Sequence, residues 1–74
     1  MVLLSDLKIG EVGIIKNINS DLFSRLNAMG LIPGAKIKLL RKAPIGDPLE
    51  FEILHYSLSL RKEICKDVEV EISE

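Results

Sequence analysis

Few side chains in this sequence could do chemistry, and their spacing does not bring them together. The candidate nucleophile and the candidate base are Cys65 and His55, the only cysteine and the only histidine, which fall in different predicted elements. Nucleophilic catalysis requires a base within hydrogen-bond reach of the nucleophile. The sequence also lacks a phosphate-binding loop that ends in Gly-Lys-Ser or Gly-Lys-Thr. It therefore predicts a protein that is not an enzyme.

Length and composition predict one small cytoplasmic domain. The 74 residues have room for a single core, so we expect one domain over residues 1–74. Ten basic and eleven acidic side chains give a formal net charge of −1, and no global positive field exists to hold a phosphate backbone. A single cysteine excludes an internal disulfide and favours a reducing compartment. No apolar run approaches the ~20 residues of a membrane span.

The pattern of apolar residues predicts five short strands and one helix. The first strand is expected at 11–18, where β-branched residues are frequent and Val12, Ile14 and Ile18 would share one face. A helix that is capped by Ser20 follows the first strand. Four further strands come after this helix, and residues 61–66 could form a single helical turn between the last two strands. Strands with almost no linker between them favour a mostly β, closed five-stranded barrel, with the short α-helix between the first and second strands.

A structural turn joins the predicted helix to the second strand. Gly30 is placed to end the helix in a left-handed conformation. Pro33 and Gly34 then suit the two central positions of a type II turn, because proline presets the first φ angle and glycine supplies the positive second one.

The next two strands are predicted to form a hairpin around the loop Pro44–Pro48. Residues that face each other must share a face of the sheet, so their numbers must sum to an even value. Ala43 opposite Leu49 satisfies this rule and sets Lys42 opposite Glu50. A register moved by two residues satisfies it as well, whereas a shift of one does not.

These turns belong to the motifs that make the sequence recognisable. The specific pair is Met29-Gly30-Leu31-Ile32-Pro33-Gly34 and Ala43-Pro44-Ile45-Gly46-Asp47-Pro48. Further matching residues are Leu7-Lys8-Ile9-Gly10-Glu11, Arg25-Leu26, Leu58-Ser59-Leu60-Arg61 and Val68-Glu69-Val70. With these motifs, which cover nearly the whole chain, the sequence resembles the ferrous iron transport protein A (FeoA) family.

The resemblance implies a small barrel of the Src-homology-3 (SH3) type. It also implies a cytoplasmic accessory and regulatory role beside FeoB, the membrane ferrous iron transporter with a G-protein domain. The same module occurs as the C-terminal domain of metal-dependent regulators that resemble the diphtheria toxin repressor. Because no helix-turn-helix precedes it in these 74 residues, we expect the accessory protein rather than the repressor.

Iron transport raises the question of a metal site in this chain. Ferrous iron prefers histidine and carboxylate ligands with open positions. The available side chains are His55, Glu50, Glu52, Glu63 and Asp67, with Cys65 if it is exposed, and no metal-ligand spacing repeats among them. We therefore expect an exposed His55, which is only a weak metal candidate, a core Cys65 and no tightly bound cofactor.

The proline-bounded loop Pro44–Pro48 is the stronger candidate for a functional site. The two prolines stiffen it, Gly46 permits a positive φ, and Ile45 would form an apolar tip for a partner. A simpler interpretation is a well-made turn in which Asp47 satisfies its own backbone. Arg25 and Arg61 abut core leucines and would either hydrogen-bond loop carbonyls or Asp47, or make a cationic contact with the partner.

A rival hypothesis makes the protein a nucleic-acid or transcription-complex barrel. Lys36, Lys38, Lys42 and Arg61 would supply its phosphate contacts, although Glu50 and Glu52 on the neighbouring strand are expected to offset the lysines. Phosphate contacts would make affinity fall steeply with salt. Oligomerisation through a strand edge is a third possibility.

Overall fold

Short strands dominate the computed structural model, which describes residues 1–73. The strands are β1 (Val2–Leu3), β2 (Val12–Ile18), β3 (Lys36–Lys42), β4 (Leu49–Ile53), β5 (Tyr56–Leu60) and β6 (Val68–Ser73). Helix α1 (Phe23–Ala28) separates β2 from β3, α2 (Lys62–Cys65) separates β5 from β6, and a 3-10 turn spans Leu4–Asp6. The five predicted strands are confirmed, and the two-residue β1 is an addition. The predicted domain range ends at Glu74, which lies outside the described residues.

All six strands form one antiparallel sheet in the order β1-β6-β2-β3-β4-β5. The predicted mostly β architecture is therefore confirmed. In the described part of the chain, β1 and β5 are edges rather than neighbours, so hydrogen bonds do not close the sheet as the barrel prediction required.

One aliphatic core holds the sheet and both helices together. It receives side chains from strands, helices and connecting segments alike, and Phe51 is its largest member. The buried side chains are those of Leu4, Leu7, Ile15, Ile18, Leu26, Leu31, Ile37, Leu39, Leu49, Phe51, Ile53, Leu60, Cys65, Val68 and Val70. No charged side chain among residues 1–73 is buried with them, so apolar burial is the main source of stability.

A β-bulge in β2 corrects the predicted face of that strand. The pairing with β6 shifts between Ile15 and Asn17, so β2 has one extra residue at this point. Beyond the extra residue, each side chain of β2 points to the opposite face from the one that simple alternation predicts. Ile15 and Ile18 are both buried, whereas Val12 and Ile14 are only half-buried on the other face. The expectation that Val12, Ile14 and Ile18 share a face is wrong for this reason.

The β3–β4 hairpin contains a second bulge. In the part of the hairpin farther from the loop, Leu39 lies opposite Phe51. This pairing corresponds to the alternative register, which is moved by two residues from the one that sets Ala43 opposite Leu49. The pairing shifts between Leu39 and Arg41, and beyond this point Arg41 lies opposite Glu50. The predicted pairing of Lys42 with Glu50 is wrong because the bulge reverses the alternation.

The predicted helix stop at Gly30 is confirmed in detail. Gly30 has a φ of +99°, and its N–H donates to the Asn27 carbonyl at 3.0 Å. The N–H of Leu31 donates to the Leu26 carbonyl, also at 3.0 Å. These two bonds make a Schellman motif, which satisfies the free carbonyls at the end of α1.

The type II turn that follows is confirmed as well. The N–H of Ala35 donates to the Ile32 carbonyl at 3.0 Å, and Gly34 has the required positive φ of +94°.

Tyr56 connects the end of α1 to strand β5. Its hydroxyl donates a hydrogen bond to the Met29 carbonyl. A Cβ atom on Gly30 would overlap with this hydroxyl. Gly30 is therefore required for its positive φ, and a side chain at this position would displace the Tyr56 hydroxyl from its bond to Met29.

We predict that Gly30→Ala lowers the free energy of unfolding by about 2–4 kcal/mol, since backbone strain and steric overlap add. Gly34→Ala is the matched control, because Gly34 has a similar φ but open space around its Cβ position. It should cost about 1–2 kcal/mol. Urea denaturation measures both variants, and equal losses would disprove the role of Tyr56.

Candidate interaction site

The loop Pro44–Pro48 begins with a hydrogen-bonded turn. The N–H of Gly46 donates to the Ala43 carbonyl at 2.7 Å, which places Pro44 and Ile45 at the two central positions. Proline is favoured at the first of these positions, and Gly46, with φ of +89°, follows the turn. The N–H of Ala43 donates to the Pro48 carbonyl at 3.0 Å and closes the base of the loop. The loop has a defined shape without help from a partner.

Ile45 forms the apolar tip of this loop, as predicted. Its side chain is 91% exposed, the highest value among the large apolar residues of the described chain. Single exposed apolar residues are common on protein surfaces. Ile45 differs because the backbone on both sides of it is held by hydrogen bonds, so ordering the loop against a partner would cost little entropy.

Asp47 anchors the loop to helix α2. Its Oδ1 atom accepts a hydrogen bond from the backbone N–H of Lys62 at 2.9 Å, and its Oδ2 atom lies 3.7 Å from Nη1 of Arg61. The carboxylate thus satisfies a free N–H at the start of α2. The simpler interpretation, in which Asp47 satisfies its own backbone, is replaced by a contact between distant parts of the chain.

The two predicted arginines have different surroundings. Arg61 makes the expected contact with Asp47, although its side chain is largely exposed and the ion pair is worth little by itself. Arg25 is exposed on α1, and its guanidinium forms no ion pair with any carboxylate of residues 1–73. A role for either residue in partner binding stays a prediction.

The structure separates the residues of the rival nucleic-acid hypothesis. Lys36 and Lys38 share the outer face of β3, but beyond the bulge Lys42 lies opposite the inward-facing Leu49. Arg41 takes the outer position instead and pairs with Glu50, with 2.8 Å between Nε and Oε1. Arg61 lies beside Asp47. The four basic residues therefore do not form one continuous stripe.

No metal centre can be assembled from residues 1–73. His55 is exposed in the turn between β4 and β5, and no group of three or more His, Cys, Asp or Glu side chains is arranged to hold an ion. Cys65 is fully buried, as predicted. That no cofactor is bound tightly stays a prediction.

The surroundings of Cys65 suppress its reactivity. Burial raises the pKa of the thiol from an ordinary value of 9.0 to about 12, and the nearby negative charge of Asp47 adds to this effect. Only the thiolate is nucleophilic, so Cys65 is a small apolar side chain of the core at neutral pH.

The arrangement defines a class of protein: a small antiparallel β domain with shaped surface loops and, in its described part, no assembled reactive centre. A family model of the FeoA domain matches residues 2–72. The chain therefore belongs to the FeoA family, and the resemblance found in its motifs is confirmed.

A curated relative connects the family with the transporter. The chain is 34% identical over 71 residues to the Fe(2+) transport protein A/Fe(2+) transporter FeoB fusion protein of Porphyromonas gingivalis. The match covers 93% of this chain and 8% of the length of that relative. A link between the family and ferrous iron transport is thus established.

Solved structures confirm the fold. The solution structure of FeoA from Chlorobium tepidum has a TM-score of 0.91 at 34% identity, covering 96% of this chain and 70% of that one. FeoA of Stenotrophomonas maltophilia, described as a prokaryotic SH3 domain protein, has a TM-score of 0.82 at 23% identity, covering 96% and 91%. The predicted SH3-type architecture is confirmed.

The same fold occurs in regulators, as the resemblance implied. A manganese-dependent transcriptional repressor has a TM-score of 0.83 at 15% identity, and the match covers 96% of this chain and 41% of that one. This likeness concerns the fold alone. No helix in residues 1–73 of this chain is long and apolar enough to cross a membrane.

Sequence reasoning found the loop and the contact of Arg61 with Asp47, but it missed the hydrogen bond that anchors the loop to α2. The contact between Asp47 and Lys62 joins residues fifteen positions apart. No local pattern encodes this contact, and a hint was available only in the aspartate between Gly46 and Pro48, a residue type that often caps helices.

We predict that Asp47→Ala lowers the free energy of unfolding by about 1–2 kcal/mol, because the N–H of Lys62 loses its acceptor. Asp47→Asn keeps an acceptor oxygen and should cost less. Asp21→Ala removes an exposed carboxylate without an ion pair in residues 1–73 and serves as the control. Thermal denaturation compares the three variants, and equal stabilities of the Asp21 and Asp47 variants would contradict the anchor.

We predict that Cys65 reacts with a thiol reagent at pH 8 about a thousandfold more slowly in the folded protein than in urea, since its pKa of about 12 leaves little thiolate.

The same pKa shift makes stability depend on pH. Because folding raises the pKa of the Cys65 thiol, its contribution to stability is fully present below the pKa of the unfolded state and is lost as the pH rises towards the pKa of the folded state. Stability should therefore fall between about pH 9 and pH 12. The Cys65→Ala variant should lack this part of the fall, and identical pH profiles would contradict the assignment.

Proposed function

We propose that this chain is a non-enzymatic, cytoplasmic regulator of ferrous iron transport that binds the cytoplasmic part of an FeoB-type transporter. Family membership and the fused relative support the association with a transporter. In that relative the two units are one polypeptide, which would hold the domain at a high effective concentration beside its partner. A separate chain requires a binding surface for the same purpose.

The observation that carries the proposal is Ile45 on its anchored loop. The loop offers an apolar side chain that is 91% exposed, with its backbone fixed by the turn at Ala43 and by the contact of Asp47 with α2. A rigid apolar tip of this kind inserts into a pocket at little entropic cost. Residues that dominate binding energy are commonly those that fill a well-packed, desolvated pocket on the partner.

Regulation then follows from differential binding. A partner shifts the equilibrium of a transporter only if it binds one conformation more tightly than another. The proposal therefore requires that the domain prefers one state of the transporter, and that its addition changes the rate of GTP hydrolysis by the G-protein domain. The domain needs no catalytic residue of its own for this effect.

We predict that Ile45→Asp weakens binding to the full-length FeoB-type transporter in nanodiscs by about tenfold or more, because a charge replaces the apolar anchor. Ile9→Asp is the matched control, since it makes the same change at another exposed isoleucine outside the loop. Isothermal titration calorimetry measures both affinities, after circular dichroism has shown equal thermal stability.

The two outcomes separate clearly. Equal affinities of the Ile45 variant and the wild-type protein would remove the loop from the interface. Absence of binding by the wild-type protein would refute the proposed function itself.

A further inference from the structure

A second surface lies at the opposite end of the β3–β4 hairpin from the loop Pro44–Pro48. It is an open groove of about 480 Å³ on the outer face of β2, β3 and β4. Val12, Ala35 and Leu54 supply apolar surface, and Lys36, Lys38 and Glu52 supply charge. The loop joins the end of β3 to the start of β4, whereas the groove uses the start of β3 and the end of β4. The two surfaces are therefore separate.

Leu54 is the unusual residue of this groove. It begins the two-residue turn between β4 and β5, with a φ of +55°, and its side chain is 71% exposed. Leucine is unfavourable in this conformation, for which glycine or asparagine is the usual choice. The tight turn between the paired strands calls for a positive φ, but the fold gains little burial from a leucine at this position. A largely exposed leucine in a strained conformation points to a function.

The walls of the groove are held in place by hydrogen bonds. Tyr56, two residues after Leu54, donates to the Met29 carbonyl at the end of α1. On the other side, the N–H of Gly34 donates to the Ile15 carbonyl at 2.7 Å, and the N–H of Ile15 donates to the Ala35 carbonyl at 2.9 Å. The groove is thus preorganised, which favours binding because little ordering remains to be done.

The charges of the groove define its ligand. Lys36 and Lys38 lie on the same face of β3, and neither forms an ion pair with a carboxylate of residues 1–73. Arg41 on the same strand is by contrast paired with Glu50. Glu52 lies opposite Lys38 in the β3–β4 pairing and is the one acidic residue among the groove's lining side chains, so the two lysines leave a positive charge in excess. A positive charge beside an apolar wall matches a carboxylate next to an apolar side chain.

We propose that this groove binds a linear segment of the protein partner in which an apolar side chain is flanked by carboxylates. The apolar side chain packs against Leu54 and Val12, and the carboxylates lie beside Lys36 and Lys38. This inference rests on the proposed function, since the partner is the transporter, and it adds a second contact to that of Ile45. Two contacts at opposite ends of one hairpin would also fix the orientation of the domain on its partner.

The experiment measures binding of the full-length transporter in nanodiscs to Leu54→Gly, Leu54→Asn and the double variant Lys36→Glu/Lys38→Glu. The two Leu54 variants should bind about tenfold more weakly, although their thermal midpoints stay equal to or exceed that of the wild-type protein because the strain is relieved. The double variant should bind at least tenfold more weakly and depend less on salt. Lys8→Glu/Lys66→Glu makes the same change of net charge at exposed positions outside the groove and should bind within twofold of the wild-type protein.

Several results would overturn the inference. If Ile45→Asp weakens binding while the Leu54 and lysine variants bind normally, the groove is not part of the interface, and the proposed function stands. If the wild-type protein does not bind the transporter, both fail together. A lower thermal midpoint of both Leu54 variants would show that leucine serves the fold. Sedimentation that reveals a dimer lost in these variants would make a second copy of the chain the occupant.

Discussion

The alternation of side chains along short strands is the constraint on which this structure depends. A chain of 74 residues buries its core only if nearly every inward position of every strand is apolar. Two bulges, one after Ile15 and one after Leu39, interrupt the alternation. Each exchanges the two faces of its strand and thereby decides which residues reach the core. Ile18 is buried and Arg41 meets Glu50 for this reason.

The β3–β4 hairpin presents a firmly held surface at each end. At one end Asp47 joins the proline-bounded loop to α2, and at the other Tyr56 joins the Leu54 turn to the end of α1. Both contacts are hydrogen bonds from or to the backbone, so each fixes the position of its turn and adds on the order of 1 kcal/mol of stability. The proposed regulation of a partner would use these two surfaces, since a protein shifts an equilibrium only by binding one conformation of its partner more tightly.

Much of the fold could be predicted from the sequence, and the wrong predictions of strand faces and of side-chain pairing share one physical cause. The five longer strands, the helix stop at Gly30 and the type II turn at Pro33 follow from local rules, and the structure confirms them. The faces of β2 and the pairing of Lys42 were predicted wrongly, because a bulge has no reliable local signal and one inserted residue reverses everything beyond it. The same cause led to a basic stripe that included Lys42.

The family, the turns and the exposed Ile45 could all be inferred from the sequence, because glycine and proline restrict the backbone wherever they stand. The surroundings of these turns depend instead on the packing of distant segments. The bond from Lys62 to Asp47, the approach of Tyr56 to Gly30 and the groove beside Leu54 each join segments far apart in the chain. Such contacts arise from packing around a shared core, and local propensities do not encode them.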